Sequence, residues 1–361
     1  MPPSAAPLTV AVLFGGKSAE HDISLRSARA VLDHLDRRRY QVRLVGIDRD
    51  GGFLDEEAST RLLADGRIDG RGGAPFLPGD ADVVFPVLHG PGGEDGTVQG
   101  WLDLVGVPYV GSGCTGSALA MDKGLAKHVL RSADVPVLPW VELRRTAYQA
   151  DPAGSLAAIL AERPVPVFVK PTCLGSSVGI NRVDREEDLA GAVEEAFRHG
   201  DRLLVEPAVD ARELEVALLD GAPPLASQPG EIRIEGWYDY ANKYLNDQAQ
   251  LFVPAEDLQQ RMADAMREFA LIAFRALRLS GLARIDFLLD RKAGRFYLNE
   301  VNTMPGFTTI SMYPKLMEAS GIAFPALCDR LIELALARGP QRLLQPAAAS
   351  ESLLEAKHRT T

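Results

Sequence analysis

The sequence predicts an α/β protein built from more than one domain. Its 361 residues exceed what one small core holds, and the 46% hydrophobic and 24% charged fractions are those of a globular protein. Short apolar runs alternate with segments of helical spacing, which indicates strands and helices in turn. Several of these runs stop at glycine-rich loops, a pattern typical of ligand sites at strand ends.

The first 122 residues are predicted to form a doubly wound α/β domain. "LTVAVLFGG" (8–16) indicates a buried strand that stops at two glycines, and Ser24 is the predicted N-cap of the next helix. "YQVRLVGI" and "ADVVFPVLHG" predict two more strands, and "VQGWLDLVG" predicts a helix. The loops "GGKSAE" and "HGPGGEDG" therefore fall at strand ends, where such sheets bind ligands.

Residues 123–216 predict a small central α+β domain. A helix starts at Lys123, and the strand "VPVFVKP" runs into the Gly/Ser loop "LGSSVG". A helix near 185–198 and the strand "RLLVEP" follow. The Gly/Ser loop thus comes directly after a strand, as the glycine-rich loops of the first domain do.

Residues 217–340 predict a C-terminal α+β domain, and residues 341–361 a flexible tail. Segment 230–255 is rich in aromatic and polar residues and has weak periodicity. The pair "LARIDFLLD" and "RFYLNEVN" predicts a hairpin, and a last helix is expected near 321–337. Before the hairpin, a long helix is predicted with one apolar stripe, made of Met262, Met266, Phe269, Ala270, Ala273 and Leu277.

Charge and cysteine content exclude several classes of protein. Lys and Arg total 39 against 49 Asp and Glu, and this net charge of −10 argues against nonspecific binding to nucleic acid or anionic membranes. The three cysteines match no zinc or disulfide spacing, and no signal peptide or apolar stretch of spanning length is present. We therefore expect a cytoplasmic protein without membrane insertion.

The hairpin brings charged residues together. A turn near Lys292 predicts that Asp286 lies opposite Glu300 and that Arg284 lies opposite Asn302. Period-2 spacing also predicts Phe296 and Leu298 on the face of Glu300. These charges form either a solvated ion-pair ladder or a buried site for Mg²⁺, which favours carboxylate and amide oxygens completed by phosphates.

Cations and glycines elsewhere suit a phosphate. Lys170 ends an apolar strand directly before "LGSSVG", whose backbone N–H groups can approach an anion, although an ordinary turn is the alternative. Lys123 at a helix start is either a second cation for phosphate or a solvated lysine. In "HGPGGEDG", His89 and Glu94 lie in the expected ligand crevice or in a simple loop.

Taken together, these stretches resemble the D-alanine–D-alanine ligases of the ATP-grasp superfamily. The matching pieces, in order, are "LFGGKSAEHDISLRSA", "HGPGGEDGTVQG", "GSGCTGSALAMDK", "VFVKPTCLGSSVGI", "YDYANKY", "ARIDFLLD" and "YLNEVNTMPGFT". They span about residues 10 to 335 and are specific as an ordered set. The resemblance implies an ATP-grasp fold with ATP between the two smaller domains.

The resemblance also implies which residues bind ATP and metal. Two Mg²⁺ ions, with Mn²⁺ as a substitute, would be held by Asp286, Glu300 and Asn302. The phosphates, adenine and ribose of ATP would be contacted by Lys123, Lys170, Ser177, Glu206, Glu213 and Lys243.

For catalysis, the resemblance implies a five-residue set. Glu20 would bind the ammonium of the first D-alanine, linked by hydrogen bonds to Ser176 and Tyr244. Arg284 and the N–H of Gly306 would form the oxyanion hole.

The implied activity is ATP-dependent joining of two D-alanines through D-alanyl phosphate, for peptidoglycan precursor synthesis, in a homodimer. Ser311 would bind the carboxylate of the second D-alanine, with His89 near it. Tyr244, in the lid expected over 230–255, favours the dipeptide product. The alternatives are a D-alanyl-D-lactate or D-alanyl-D-serine ligase, another ATP-grasp carboxylate–amine ligase, or a nucleotide-binding regulator without chemistry. Cys173 stands where relatives often have a polar or basic residue.

Overall fold

Three β-sheets organise the chain in the computed structural model, which describes residues 6–68, 80–175, 178–233 and 250–339. The first sheet is parallel, and the strand pairs of the other two are antiparallel. Helices pack on all three sheets. The mixed α/β class predicted from the sequence is confirmed.

The N-terminal sheet has the strand order β2-β1-β3 and is covered by helices. Its central strand is fully buried from Val10 to Phe14, which explains the unbroken apolar run in the sequence. The elements in chain order are β1 (Leu8–Gly15), α1 (His21–His34), β2 (Tyr40–Ile47), α2 (Glu56–Asp65), β3 (Val83–Pro86), α3 (Thr97–Val105) and α4 (Cys114–Met121).

Helix α1 begins earlier than the sequence pattern predicts. Its N-cap is Glu20, so the prediction of Ser24 as the N-cap is wrong. The Ser24 hydroxyl accepts the N–H of Gly15 at 2.8 Å and donates to the carbonyl of Val87. This serine therefore connects the ends of β1 and β3 from a position within the helix. Such a contact between distant segments cannot be predicted from local spacing.

The central sheet has the order β4-β7-β5-β6 and its own apolar core. Valines of β5 and β7 pack against helix α8 in that core, with Phe197 at the end of the helix. Its elements, with the helix that leads into it, are α5 (Lys123–Ser132), β4 (Val141–Arg144), α6 (Arg145–Ala150), α7 (Pro152–Glu162), β5 (Val167–Pro171), β6 (Asn181–Val183), α8 (Leu189–Phe197) and β7 (Arg202–Pro207).

The C-terminal sheet has the order β11-β10-β8-β12-β13, with β9 paired to β8. Helix α9 lies on one face with its predicted apolar stripe, and α10 and α11 belong to the core on the other face, which continues into the N-terminal sheet. The elements are β8 (Ala211–Leu219), β9 (Leu225–Ala226), β10 (Gly230–Arg233), β11 (Gln250–Phe252), α9 (Gln260–Ala276), β12 (Leu282–Asp290), β13 (Phe296–Asn302), α10 (Met312–Ala319) and α11 (Phe324–Arg338).

The β12–β13 hairpin has the predicted register at its open end. Arg284 pairs with Asn302 and Asp286 pairs with Glu300. The register then shifts, so that Phe287 pairs with Leu298, and Asn299 is the extra residue. The prediction that Phe296 and Leu298 share the face of Glu300 is therefore wrong. Both side chains turn into the core under α9 instead.

Some helices were not predicted, including α2, α6, α7 and α10. The last helix, expected near 321–337, is Phe324–Arg338. The expected boundary after residue 216 falls inside β8, which pairs with β12 along 211–219, and the domain limits stay a prediction. Within the described ranges, no helix has the length and apolar character needed to cross a membrane.

Candidate active site

Arg284 is the centre of a buried charge cluster at the open end of the hairpin. Its guanidinium donates to both carboxylate oxygens of Asp286, at 2.7 and 2.6 Å, and its Nε lies 3.0 Å from Oε2 of Glu215 on β8. Asn302 donates from Nδ2 to Asp286 at 3.0 Å. Burial lowers the pKa of Arg284, but Asp286 and Glu215 outweigh burial and hold the pKa well above its usual value. The side chain is a permanent cation.

The burial of this cluster decides between the two readings of the hairpin. Arg284 is 8% exposed and Glu215 is 4% exposed, so a solvated ion-pair ladder is excluded. Glu215 was not predicted as a site residue. Its sequence signal was weak, because its relation to Arg284 depends on the pairing of β8 with β12, far apart in the chain.

Lys123 reaches the same hairpin from helix α5. Its Nζ lies 3.4 Å from Oε2 of Glu300 and donates to the carbonyl of Leu174 at 2.6 Å. Asp122 caps the helix by accepting the N–H of Gly124. Lys123 is 8% exposed, so the alternative of a solvated first-turn lysine is excluded.

A second buried charge cluster surrounds Glu206 on β7. Lys170 is ion-paired with its Oε2, and Nζ of Lys127 lies 2.5 Å from its Oε1. Burial raises the pKa of Glu206, but the two ammonium groups outweigh burial and hold the pKa below its usual value. Lys127 was missed in the sequence, although its position one helical turn after Lys123 was a usable signal.

These clusters lie along one large cleft of about 630 Å³. The four-stranded sheet supplies one wall, with Phe168 and with Ile180 just before β6, and the six-stranded sheet supplies the other, with Leu214 and Leu288. The cleft has the size and the mixed apolar and charged lining that a nucleotide requires. It brings together six of the predicted site residues, Lys123, Lys170, Glu206, Glu213, Asp286 and Glu300.

A smaller polar pocket lies next to the cleft, at the open end of the hairpin. Its lining includes the predicted residues Glu20, His89, Arg284, Asn302 and Gly306. On each strand the residue nearer the turn, Asp286 or Glu300, lines the cleft, and the residue nearer the open end, Arg284 or Asn302, lines the small pocket. The hairpin end is the common wall of a nucleotide-sized cleft and a small polar pocket.

His89 is held in one neutral tautomer in the small pocket. Its Nδ1 lies 2.9 Å from the carbonyl of Met304, which can only accept, so Nδ1 carries the proton. Its Nε2 then accepts from the Ser27 hydroxyl at 2.9 Å, and that oxygen accepts the N–H of Phe307. Burial lowers the pKa of His89 in spite of the opposing charge of Glu20. The imidazole is a fixed part of the wall.

Glu94 links the same glycine-rich loop to the turn after β13. Its two carboxylate oxygens accept the N–H of Gly90 and the N–H of Met304, each at 2.8 Å. Since His89 binds the carbonyl of Met304, this residue is held on both sides. The pair positions the turn that carries Gly306. Burial, with the nearby charge of Glu20, raises the pKa of Glu94 to about 8.

The raised pKa of Glu94 predicts a specific pH dependence of stability. Ionising this carboxyl costs more in the folded state, so its contribution is lost as pH rises from the ordinary value of 4.5 to about 8. We expect the unfolding temperature of the wild type to fall relative to that of Glu94→Gln over this window. Thermal unfolding of both proteins across the window measures the difference, and a constant difference would contradict the assignment.

Ser311 lies beside the small pocket and is not part of its lining. Its hydroxyl lies 2.7 Å from that of Thr308 and accepts the N–H of Thr308 at 3.1 Å. A Cβ on Gly306 would lie 3.1 Å from the Ser311 hydroxyl, so the two residues are neighbours. Ser311 is also the N-cap of α10, where backbone N–H groups favour an anion.

Four predicted site residues, Ser176, Ser177, Lys243 and Tyr244, lie outside the described residues, as does most of the expected lid. Among the residues that the structure describes, no group of three His, Cys, Asp or Glu side chains is arranged to hold a metal ion. The set predicted for Mg²⁺ has two carboxylates and one amide. Its oxygen donors fit a hard cation that takes its other ligands from phosphates and water.

Comparisons with known proteins identify the family of this chain. Family models match twice: "D-ala D-ala ligase N-terminus" over residues 9–112 and "D-ala D-ala ligase C-terminus" over 129–333. "D-alanine--D-alanine ligase A" of Bradyrhizobium diazoefficiens is 45% identical over 93% of this chain and 96% of its own length.

Solved structures agree as well. The D-alanine-D-alanine ligase from Coxiella burnetii is 36% identical, with a TM-score of 0.79 over 99% of this chain and 100% of its own. The VanG D-Ala:D-Ser ligase from Enterococcus faecalis is 32% identical, with a TM-score of 0.79 over 91% and 99%. The expected ATP-grasp fold is confirmed. Since both halves and nearly the whole length match, the chain belongs to the D-alanine–D-alanine ligase family.

Proposed function

We propose that this protein joins two D-alanines into D-alanyl-D-alanine, converting ATP to ADP and phosphate through a D-alanyl phosphate intermediate. One observation carries the proposal: neighbouring residues of the hairpin end line a nucleotide-sized cleft and a small polar pocket. A phosphoryl group held through a cation at Asp286 and Glu300 would then lie next to a carboxylate bound at Arg284. This is the arrangement that activation of a small amino acid by ATP requires.

The cleft would bind the nucleotide through the residues that line it. Lys123 and Lys170, with Lys243, would contact the phosphates, and Glu206 and Glu213 the adenine and ribose, with Ser177 in the Gly/Ser loop. Asp286, Glu300 and Asn302 would hold Mg²⁺, with Mn²⁺ as a substitute. The bound cations would offset the negative charge on the transferred phosphoryl group.

The small pocket would bind the amino acids. Glu20 would bind the ammonium of the first D-alanine, with Ser176 and Tyr244 linked to it. Ser311 and the start of α10 would bind the carboxylate of the second, with His89 nearby. Burial and neighbouring charge strengthen each of these contacts relative to water.

Two chemical steps follow from this placement. The carboxylate of the first D-alanine attacks the γ-phosphorus of ATP, and ADP leaves. The amine of the second attacks the acyl carbon, and Arg284 with the N–H of Gly306 stabilises the oxyanion. The tetrahedral species then collapses, the C–O bond to phosphate breaks, and the amine proton is released. Because water hydrolyses acyl phosphates, a closing segment is needed, and 230–255 is our candidate.

Gly90 offers a direct test of the role of Glu20. Gly90 has φ +73°, and a Cβ on it would collide with Oε2 of Glu20 and lie 2.6 Å from Oγ of Ser18. We expect Gly90→Ala to displace Glu20 and to raise the KM for D-alanine by about 10- to 100-fold, the range for a lost contact to a charged group. Initial rates with varied D-alanine measure this.

Gly92→Ala is the matched control, because Gly92 has φ +85° in the same loop and a Cβ there meets nothing within 4 Å. Both variants carry the strain of an alanine at positive φ, and only one reaches Glu20. Equal KM values for the two variants would contradict the role of Glu20.

The product is the point on which close relatives differ. Because the structural neighbour from Enterococcus faecalis is named a D-Ala:D-Ser ligase, D-alanyl-D-serine is the second candidate for the product. We favour D-alanyl-D-alanine because Tyr244 stands in the "YDYANKY" segment, and D-alanyl-D-lactate ligases differ there.

The deciding experiment is phosphate release from ATP with D-alanine, L-alanine, or D-alanine plus D-serine or D-lactate, with products identified by mass. Release with D-alanine alone, giving the dipeptide, supports the proposal. Release only with D-serine or D-lactate overturns the D-alanyl-D-alanine assignment, and no phosphate release in any mixture overturns the function.

We further propose that the enzyme acts in the cytoplasm as a homodimer, in the synthesis of peptidoglycan precursors. The family membership supports this, as does the water-soluble character expected from the composition. Light scattering of the purified protein tests the dimer.

A further inference from the structure

The cluster around Glu206 contains one residue that no role above explains. Lys127 lies on helix α5 and is 2% exposed, and Glu206 is 1% exposed. Lys170 lines the cleft beside Glu206, whereas Lys127 is not part of the lining. Lys127 therefore contacts Glu206 from behind the cleft wall.

Lys127 is held firmly in that position. Its Nζ lies 2.5 Å from Oε1 of Glu206, donates to the carbonyl of Leu138 at 3.1 Å and lies 5.5 Å from the centre of the Trp140 ring. An ammonium group has three N–H donors, and that of Lys127 faces three partners: a carboxylate, a carbonyl and an aromatic ring. The lysine thus fixes the position of the Glu206 carboxylate as well as its charge.

The charge of Glu206 decides what this end of the cleft can bind. A carboxylate only accepts hydrogen bonds, whereas a protonated carboxyl also donates one. Lys170 and Lys127 together keep Glu206 ionised although it is buried. An ionised Glu206 pairs with the 6-amino group of a purine and repels a 6-oxo group.

We propose that Lys127 is a positioning residue for base selectivity, which makes the cleft prefer 6-aminopurine over 6-oxopurine nucleotides by holding Glu206 as a fixed acceptor. This inference rests on the proposed nucleotide cleft. The base never contacts Lys127, and its effect acts through Glu206 alone.

The test is calorimetric binding of ADP and of IDP, its 6-oxo analogue, to wild type and to Lys127→Met. The wild type is expected to prefer ADP. In Lys127→Met, the ADP affinity is expected to fall by about tenfold and the ADP preference over IDP to shrink by a similar factor, the scale of one charged hydrogen bond. Should this variant fail to fold, Lys127→Gln carries the test, because it keeps a donor and lacks the charge.

A pH series separates this role from a merely structural one. Without Lys127, the pKa of Glu206 rises, so Glu206 loses its charge at the acid end of the range. The ADP affinity of Lys127→Met is therefore expected to increase with pH, while that of the wild type changes little. Packing damage alone would lower affinity equally at every pH.

Arg131→Met is the matched control. Arg131 is exposed, lies one turn further along α5 and stacks on the same Trp140 ring at 4.7 Å. The substitution removes a cation from the Trp140 ring and leaves the contacts of Glu206 unchanged. The Arg131→Met protein is therefore expected to prefer ADP over IDP as strongly as the wild type does.

The outcomes separate this inference from the proposed function. An unchanged ADP preference and a flat pH series in Lys127→Met would overturn the inference, even if the wild type ligates D-alanine. A lost preference in that variant would support it, even if no dipeptide formed. Wild type that binds neither nucleotide would overturn both.

Discussion

Replacing Glu300 with glutamine is expected to lower kcat by about 10³-fold while leaving the fold intact. Glu300 faces the cleft beside Asp286, and its Oε2 lies 3.4 Å from Nζ of Lys123. A bound cation supplies several kcal/mol of charge stabilisation in phosphoryl transfer, and each ~1.4 kcal/mol is a factor of ten in rate. Glutamine keeps the shape but not the charge, so the proposed cation and Lys123 each lose a charged partner.

Phosphate release and thermal unfolding of the same preparations measure the two halves of this prediction. Glu318→Gln, on the exposed surface of α10, removes one carboxylate away from the lining of both cavities. Only Glu300→Gln is expected to lose turnover, and both proteins should unfold near the wild-type temperature. A wild-type kcat in Glu300→Gln would contradict the proposed contact between Glu300 and the metal ion.

The sequence predicted that Asp286 lies opposite Glu300, and the structure has this pair. The pairs next to the turn, such as Phe287 with Leu298, would by themselves place Asp286 opposite Asn299, so the pair with Glu300 depends on the bulge. The bulge at Asn299 was not predictable from the sequence. It appears because Phe296 and Leu298 are needed in the core under α9, and that requirement comes from packing between distant segments.

Lys127 and Glu215 were missed in the sequence, and no partner was predicted for Glu94, because the partners of all three residues are far away in the chain. Lys127 is paired with Glu206, Glu215 with Arg284, and Glu94 with the N–H of Met304. Spacing identifies residues on one strand or helix and says nothing about which elements meet. Many of the charged groups that line the cavities were therefore predictable from motifs, whereas Glu215 in the cleft lining and Lys127 behind it required the fold.

Arg284 is expected to show the largest combined effect on stability and activity. Arg284→Met leaves Asp286 and Glu215 buried without their cation, which we expect to cost about 3–5 kcal/mol of stability. Arg284→Lys keeps the charge but loses the two-pronged contact to Asp286. We expect it to fold and to lose about 10²- to 10³-fold in kcat, the range for one oxyanion donor.

A double-mutant cycle with Glu215→Gln shows whether the stability effect comes from uncompensated charge. Glu215→Gln alone should cost little, because Asp286 still binds both Nε and Nη2 of Arg284. Combined with Arg284→Met, it removes one of the two carboxylates that have lost the charge of Arg284, so the double variant should be more stable than Arg284→Met alone. Thermal unfolding of the four proteins measures the coupling. If the stability losses of the two single variants simply add, Arg284 stabilises the hairpin by packing rather than by charge. Its assignment as the oxyanion cation would then depend on the kcat of Arg284→Lys alone.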